Sequence, residues 1–145
     1  MEANALKLRG FQTVCSVQKP SLIERTAEGL YCQAAKAWID PWRPVPRALV
    51  THAHADHARP GCGEYWAVAS SEGVLRQRLG QNISLHPVAY GEQHWLGQCK
   101  VSFHSAGHVL GSAQIRLESE GEVWVVSGDY KRDDDPSCEP FETVR

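Results

Sequence analysis

The sequence predicts a mixed α/β fold, strand-rich with few helices, and three observations carry that expectation. Short apolar or alternating segments are separated by Gly, Pro and polar residues at short intervals, which favours strands over long helices. Residues 112–118 alternate apolar and polar with period two, the pattern of a half-buried strand. Val123-Trp124-Val125-Val126 is apolar throughout and mostly β-branched, as expected of an interior strand covered on both faces. Such a strand needs a layer on each side, so sheets with flanking helices are expected rather than a small open barrel.

Taken in order, strands are expected over 12–17, 21–25, 29–33, 36–39 and 47–51. A short helix over 57–63 fits the spacing, although Pro60 and two glycines weaken it. A strand over 65–69 leads to the clearest helix, 71–79, with Val74, Leu75 and Leu79 on one side, a serine available as N-cap and Gly80 as its stop. Strands over 84–89, 99–104, 112–118 and 122–127 complete the set, and the first ten and last dozen residues look least ordered. No repeat or linker divides the chain, so 1–145 reads as a single domain, long enough to bury roughly two-thirds of its unfolded surface.

Composition narrows the class. A hydrophobic fraction of 42% and a charged fraction of 22% are ordinary for a globular domain and argue against disorder. No run of about 18 apolar residues exists and the N-terminus lacks a secretory layout, so no membrane partner and a cytoplasmic location are expected. The five cysteines are odd in number, widely spaced and without a CxxC pair, which suggests reduced thiols rather than a disulfide framework or thiolate zinc site. The net charge of −2 gives the whole chain no electrostatic pull toward nucleic acid, although a bound metal would add local positive charge.

The chemistry concentrates at the end of one apolar strand. Ala48-Leu49-Val50-Thr51 runs into His52-Ala53-His54-Ala55-Asp56-His57, four candidate ligands within six residues, with small alanine spacers that leave room for an ion. Neutral imidazoles and a carboxylate suit zinc. His52 and His54 could approach one ion while Asp56 and His57 turn toward a second. His108, in Ser105-Ala106-Gly107-His108-Val109-Leu110-Gly111-Ser112, sits where flanking glycines permit a tight path that presents the ring inward. Asp129, in Ser127-Gly128-Asp129-Tyr130, has two carboxylate oxygens that could bridge two cations. Asp40 reads either as a group that orients a ligand or as a strand-ending turn residue. Arg43, Arg47, Arg59, Lys131 and Arg132 are either phosphate contacts or scattered surface cations.

HAHADH, SAGHVLGSA and SGDY, in that order, resemble the metallo-β-lactamase superfamily. GHVLGSA followed by GDYKR is similar to its nucleic-acid-processing branch, which includes enzymes with an inserted β-CASP domain. The span from about Gly29 to Arg145, through GLYC, IDPWRP, THAHADHARPG and SGDYKRD, resembles bacterial ligase-associated DNA exonucleases. The resemblance implies the N-terminal part of an αββα sandwich with two zinc ions. It places His52, His54 and His108 on one ion, Asp56 and His57 on the other, and Asp129 between them. Asp56, His57 and Asp129 are then the catalytic candidates, with Asp56 orienting the attacking water.

The implied activity is zinc-dependent phosphodiester hydrolysis of DNA, as an exonuclease linked to DNA repair and a DNA ligase. RNA cleavage, thioester or lactam hydrolysis, and an inactive remnant are the alternatives. The family continues past the GDY motif to a further histidine, so the expectation here is a domain incomplete at its C-terminus and a second zinc position lacking a ligand. His86, His94 and His104 precede the GDY motif and do not match that histidine, although His104 is a candidate pocket-lining residue.

Overall fold

The computed structural model describes residues 20–145, so the strand expected over 12–17 and Cys15 lie outside the described residues. Six strands form a first sheet in sequential order: β1 (Ile23–Thr26), β2 (Gly29–Cys32), β3 (Ala37–Ile39), β4 (Arg47–Leu49), β5 (Glu64–Val68) and β6 (Leu85–Val88). β1 to β3 are antiparallel and β3 to β6 are parallel. The second sheet is antiparallel in the order β10–β9–β8–β7, built from β7 (Gln93–Leu96), β8 (Cys99–Ser105), β9 (Ala113–Ser119) and β10 (Glu122–Ser127). Glu120 and Gly121, both at positive φ, make the two-residue turn between β9 and β10, which matches the twist of the strands it joins.

Side-chain alternation along β4 explains the layering. Leu49 faces the second sheet and meets a core that includes Ile39, Val101, Phe103, Ile115 and Leu117. Ala48 and Val50 face the other way and pack with Tyr65, Ala67 and Leu75 beneath the one α-helix among the described residues, α1 (Glu72–Leu79). Helix, first sheet and second sheet therefore make three layers. The outer face of the second sheet is crossed by the end of the described chain: Gln114 Nε2 donates to the Glu142 carbonyl at 2.7 Å and Arg116 Nε to the Arg145 carbonyl at 3.0 Å.

Four expectations change. Val123–Val126 is not an interior strand: β10 is a sheet edge, with Val123, Trp124 and Val125 exposed at 44, 39 and 38%. An apolar β-branched run is shared by buried and edge strands, and what lies beside it is not a local property. β4, by contrast, is covered on both faces. In α1, Leu75 is buried but Val74 is 48% exposed, and the Ser71 hydroxyl donates to the Val68 carbonyl at 2.7 Å instead of capping the helix. No helix forms over 57–63, where the His57 and Ala58 N–H groups close a single turn on the His54 carbonyl and the chain then meets Pro60. Finally, β7 has no counterpart among the expected strands, because its short run Gln93-His94-Trp95-Leu96 lacks clear alternation.

Cys32, Cys62, Cys99 and Cys138 are free thiols. No described helix is long and apolar enough to cross a membrane.

Candidate metal centre

The site lies where the parallel strands end and the two sheets meet. Beyond β4 the chain stays extended: the Val50 N–H donates to the Trp66 carbonyl at 2.9 Å, and the Thr51 carbonyl accepts from the Ala113 N–H at 2.7 Å. That second bond ties the carboxyl end of β4 to the first residue of β9. His52 to His57 then form the loop, as binding loops commonly do at the carboxyl ends of parallel strands.

Two close approaches bring the other motifs to it. A Cβ on Gly128 would lie 2.2 Å from Thr51 Oγ1, so the backbone before Asp129 seats directly on the residue before His52. Gly107 has φ +66°, and a Cβ there would lie 2.4 Å from the Lys131 carbonyl oxygen. The Lys131 N–H in turn donates to the Ala106 carbonyl at 3.0 Å, which locks the segment after Asp129 against the segment before His108. Within the His108 loop the Ser112 hydroxyl accepts from the N–H groups of His108 and Val109 at 3.0 and 3.2 Å.

One ligand atom each from His52, His54, His108 and Asp129 lies within 4.8 Å of all the others. Asp129 divides its oxygens: Oδ2 is 3.9 Å from His52 Nε2 and 3.7 Å from His108 Nε2, whereas Oδ1 is 3.7 Å from His57 Nε2. His57 Nε2 is also 3.5 Å from Asp56 Oδ2. All six residues singled out in the sequence are therefore gathered at one place, in two overlapping groups.

Hydrogen bonds behind the rings set which nitrogens face inward. Asp40 accepts from the Thr51 backbone N–H at 2.8 Å and from the Thr51 hydroxyl at 2.5 Å, and His57 Nδ1 lies 2.7 Å from its Oδ2. The Thr51 hydroxyl, having given its proton to Asp40, can only accept from His52 Nδ1 at 3.2 Å. Both Nδ1 atoms thus carry protons, which leaves Nε2 of His52 free to offer a lone pair, and that of His57 likewise when its ring is neutral. Asp40 takes this position at φ +42°, a left-handed conformation that a non-glycine residue adopts only when its surroundings impose it. Asp40 closes β3 in a bend and also hydrogen-bonds Thr51 and His57.

Burial, reinforced by the neighbouring imidazoles of His57 and His54, lowers the His52 pKa to about 4, so its ring is neutral at physiological pH. His57 moves the other way, raised chiefly by its hydrogen bond to Asp40. The Asp56 carboxyl is held below its usual range, first by a hydrogen bond from its own backbone N–H and then by the surrounding histidines. His108 Nε2 is buried and has no hydrogen-bond partner. A buried ring nitrogen without a partner carries a desolvation cost that a cation would offset. Three imidazoles and a carboxylate converging around it form a donor set that fits a metal ion.

Other sequence candidates lie elsewhere. His104 does not line this pocket: it points to the outer face of the second sheet, with Ser102 Oγ and Glu142 Oε1 each 2.9 Å from its ring nitrogens. Strand alternation decides this, because Phe103 beside it takes the core side. His86 stacks on Trp66 and pairs with Glu64. Arg47 is engaged by Glu64 and the Ala35 carbonyl, and Lys131 by Asp135. The residues that sequence reasoning missed are Thr51 and Gly128. A threonine closing an apolar strand just before paired histidines, and a glycine just before an acidic residue, were the available signals.

No family model matches the chain. Among solved structures, a protein of unknown function from Enterococcus faecalis aligns over 59% of this chain and 25% of its own, with a TM-score of 0.50 and 14% identity. A B3 metallo-β-lactamase with an active-site glutamic acid aligns over 63% and 47% of the two chains, with a TM-score of 0.45 and 22% identity. Among curated proteins, a probable DNA ligase of Opitutus terrae is 34% identical over 119 residues, 81% of this chain and 12% of the ligase. A ribonuclease of Thermus thermophilus is 31% identical over 134 residues, 71% of this chain and 31% of the ribonuclease. The HAHADH, SAGHVLGSA and SGDY residues, whose motifs resemble those of metallo-β-lactamases, gather at one point of this three-layered frame, at the seam between the sheets. This chain spans less than a third of the length of either curated relative.

Proposed function

We propose that this chain carries the metal centre of a zinc-dependent phosphodiester hydrolase acting on nucleic acid, a cytoplasmic DNA exonuclease that works in repair alongside a DNA ligase. The observation that carries the reading is the convergence of His52, His54, His108 and Asp129 around a buried, partnerless imidazole nitrogen. In this reading His52, His54 and His108 would hold one zinc, Asp56 and His57 would hold a second, and Asp129 would serve both. The division of the Asp129 oxygens between the two groups supports it. The nucleic-acid assignment is supported by the names of the two curated relatives, a DNA ligase and a ribonuclease. The ribonuclease also favours a second reading, RNA as the substrate.

Bound zinc would supply Lewis acidity and ionisation of water near neutral pH. The residues of this chain do the rest. Asp56, exposed at the mouth and ionised, accepts a hydrogen bond from the attacking water and aligns it with the phosphorus. Asp40 keeps the proton of a neutral His57 on Nδ1, and Thr51 does the same for His52, so neither neutral ring turns an N–H toward the reacting oxygen. His52 stays neutral in its buried position, which preserves its lone pair.

Metal analysis of the purified chain tests the assignment. Zinc is expected, held more tightly by the three-histidine group than by the position of Asp56 and His57. His52→Ala should abolish tight binding, and Asp40→Asn, by removing a partner that fixes a ligand ring, should weaken affinity about 10–100-fold. Hydrolysis of bis-p-nitrophenyl phosphate and of a thioester by the metal-loaded chain, followed by degradation assays on DNA and RNA, tests the substrate class. Faster thioester than phosphodiester turnover, or unchanged zinc binding in His52→Ala, would sink the reading.

A further inference from the structure

The loop leaving β3 carries a feature that the metal centre does not use. Asp40 is anchored to His57 and Thr51, Pro41 is buried, and the next residue, Trp42, is 46% exposed. The ring is not loose. The Trp42 backbone N–H donates to the Glu28 carbonyl at 2.7 Å, which fixes the residue that carries the ring, and the Arg25 guanidinium lies over the ring, 5.5 Å from its centroid. Pro41, Pro44 and Pro46 stiffen the loop. Two residues span at most about 7 Å, so the indole is rooted within that distance of the Asp40 backbone, beside the metal-binding loop. Arg43, also exposed, follows it directly.

A partly exposed aromatic ring approached by one arginine and followed in sequence by a second has the chemistry of a single-strand binding platform. Bases stack on such rings irrespective of sequence, and arginines take the adjoining phosphates. Because the loop is already ordered, stacking would cost little conformational entropy.

We propose that Trp42 is a base-stacking residue: its indole, approached by Arg25, receives a nucleobase next to the phosphate at the metal centre, and Arg43 contacts the adjoining phosphate. This rests on the nucleic-acid reading above and names a residue that positions the substrate.

The test is binding of fluorescent, nuclease-resistant phosphorothioate decamers, one of thymidine and one fully abasic, to the whole chain with its metal. The proteins compared are wild type, Trp42→Ala, Trp42→Phe and Trp95→Ala, the last at an exposed tryptophan on β7. Trp42→Ala is expected to bind the thymidine decamer about tenfold more weakly, yet the abasic one within about twofold of wild type. Trp42→Phe should retain most of the affinity and Trp95→Ala all of it. An equal loss on both decamers, which a purely structural role would give, overturns the proposal, and so does unchanged binding by Trp42→Ala. In those two cases wild type still binds and the nucleic-acid reading stands. Failure of wild type to bind either decamer removes that reading and the stacking proposal with it.

Discussion

At Gly128 a single methyl group separates an assembled site from a distorted one. The Cβ of an alanine would lie 2.2 Å from Thr51 Oγ1 and 2.8 Å from Thr51 Cβ, and Thr51 is itself held by Asp40, His52 and the first residue of β9. The neighbour therefore has little freedom to move aside. Gly128→Ala is expected to destabilise the fold by about 1–3 kcal/mol, measured by urea denaturation, and to weaken metal binding because Asp129 is displaced. Unchanged zinc affinity in a folded Gly128→Ala protein would contradict this. His52, His54, Asp56 and His57 were legible in the sequence because their side-chain types alone announce coordination chemistry and local spacing delivers them together. Thr51 and Gly128 were not, since their roles consist of a contact between residues distant along the chain.

At the level of elements, exposure separates what periodicity could not. Val74 and Leu75 both fit the apolar side of α1 on paper, but only Leu75 meets the core beneath the helix. Leu75→Ala should cost about 2–5 kcal/mol, whereas Val74→Ala should fall within about 0.5 kcal/mol of wild type. Equal effects in denaturant titrations would mean that the helix docks differently. The two loops flanking the centre are each pinned by a tyrosine. Tyr65 donates to the Arg59 carbonyl at 2.9 Å, and Tyr90 to the Ser112 carbonyl at 2.8 Å. Burial pushes both phenols up to about 12. A folded pKa above the unfolded value of about 10 means that their contribution is present below pH 10 and lost as pH rises toward 12. Stability should fall across that window, and Tyr90→Phe should flatten the decline, as followed by circular dichroism against pH. The same scale explains the misjudged strands. β10 and β4 have similar apolar composition, and only the order of strands in the sheets tells the edge from the centre.

For the molecule as a whole, the strand-rich mixed α/β class was legible because period-two patterns and frequent turn residues are local. The pairing of ten described strands into a six-stranded mixed sheet and a four-stranded antiparallel one was not. If the centre binds metal only in the folded state, chelation should lower the melting temperature, and adding zinc at about 100 times its dissociation constant should restore about 2.7 kcal/mol of stability. Identical melting curves with and without chelator would argue that the site is not loaded in solution. The seat of Gly128 on Thr51 also governs how the protein comes into being. These residues lie more than half the chain apart, and β4 through β10 all fall between or beside them. Contacts of such long sequence separation form slowly, after loop closure has been achieved elsewhere. During synthesis, His52, His54, Asp56 and His57 emerge as a short cluster with nothing to complete it. The group of His52, His54, His108 and Asp129 comes together only when β10 has left the ribosome and docked.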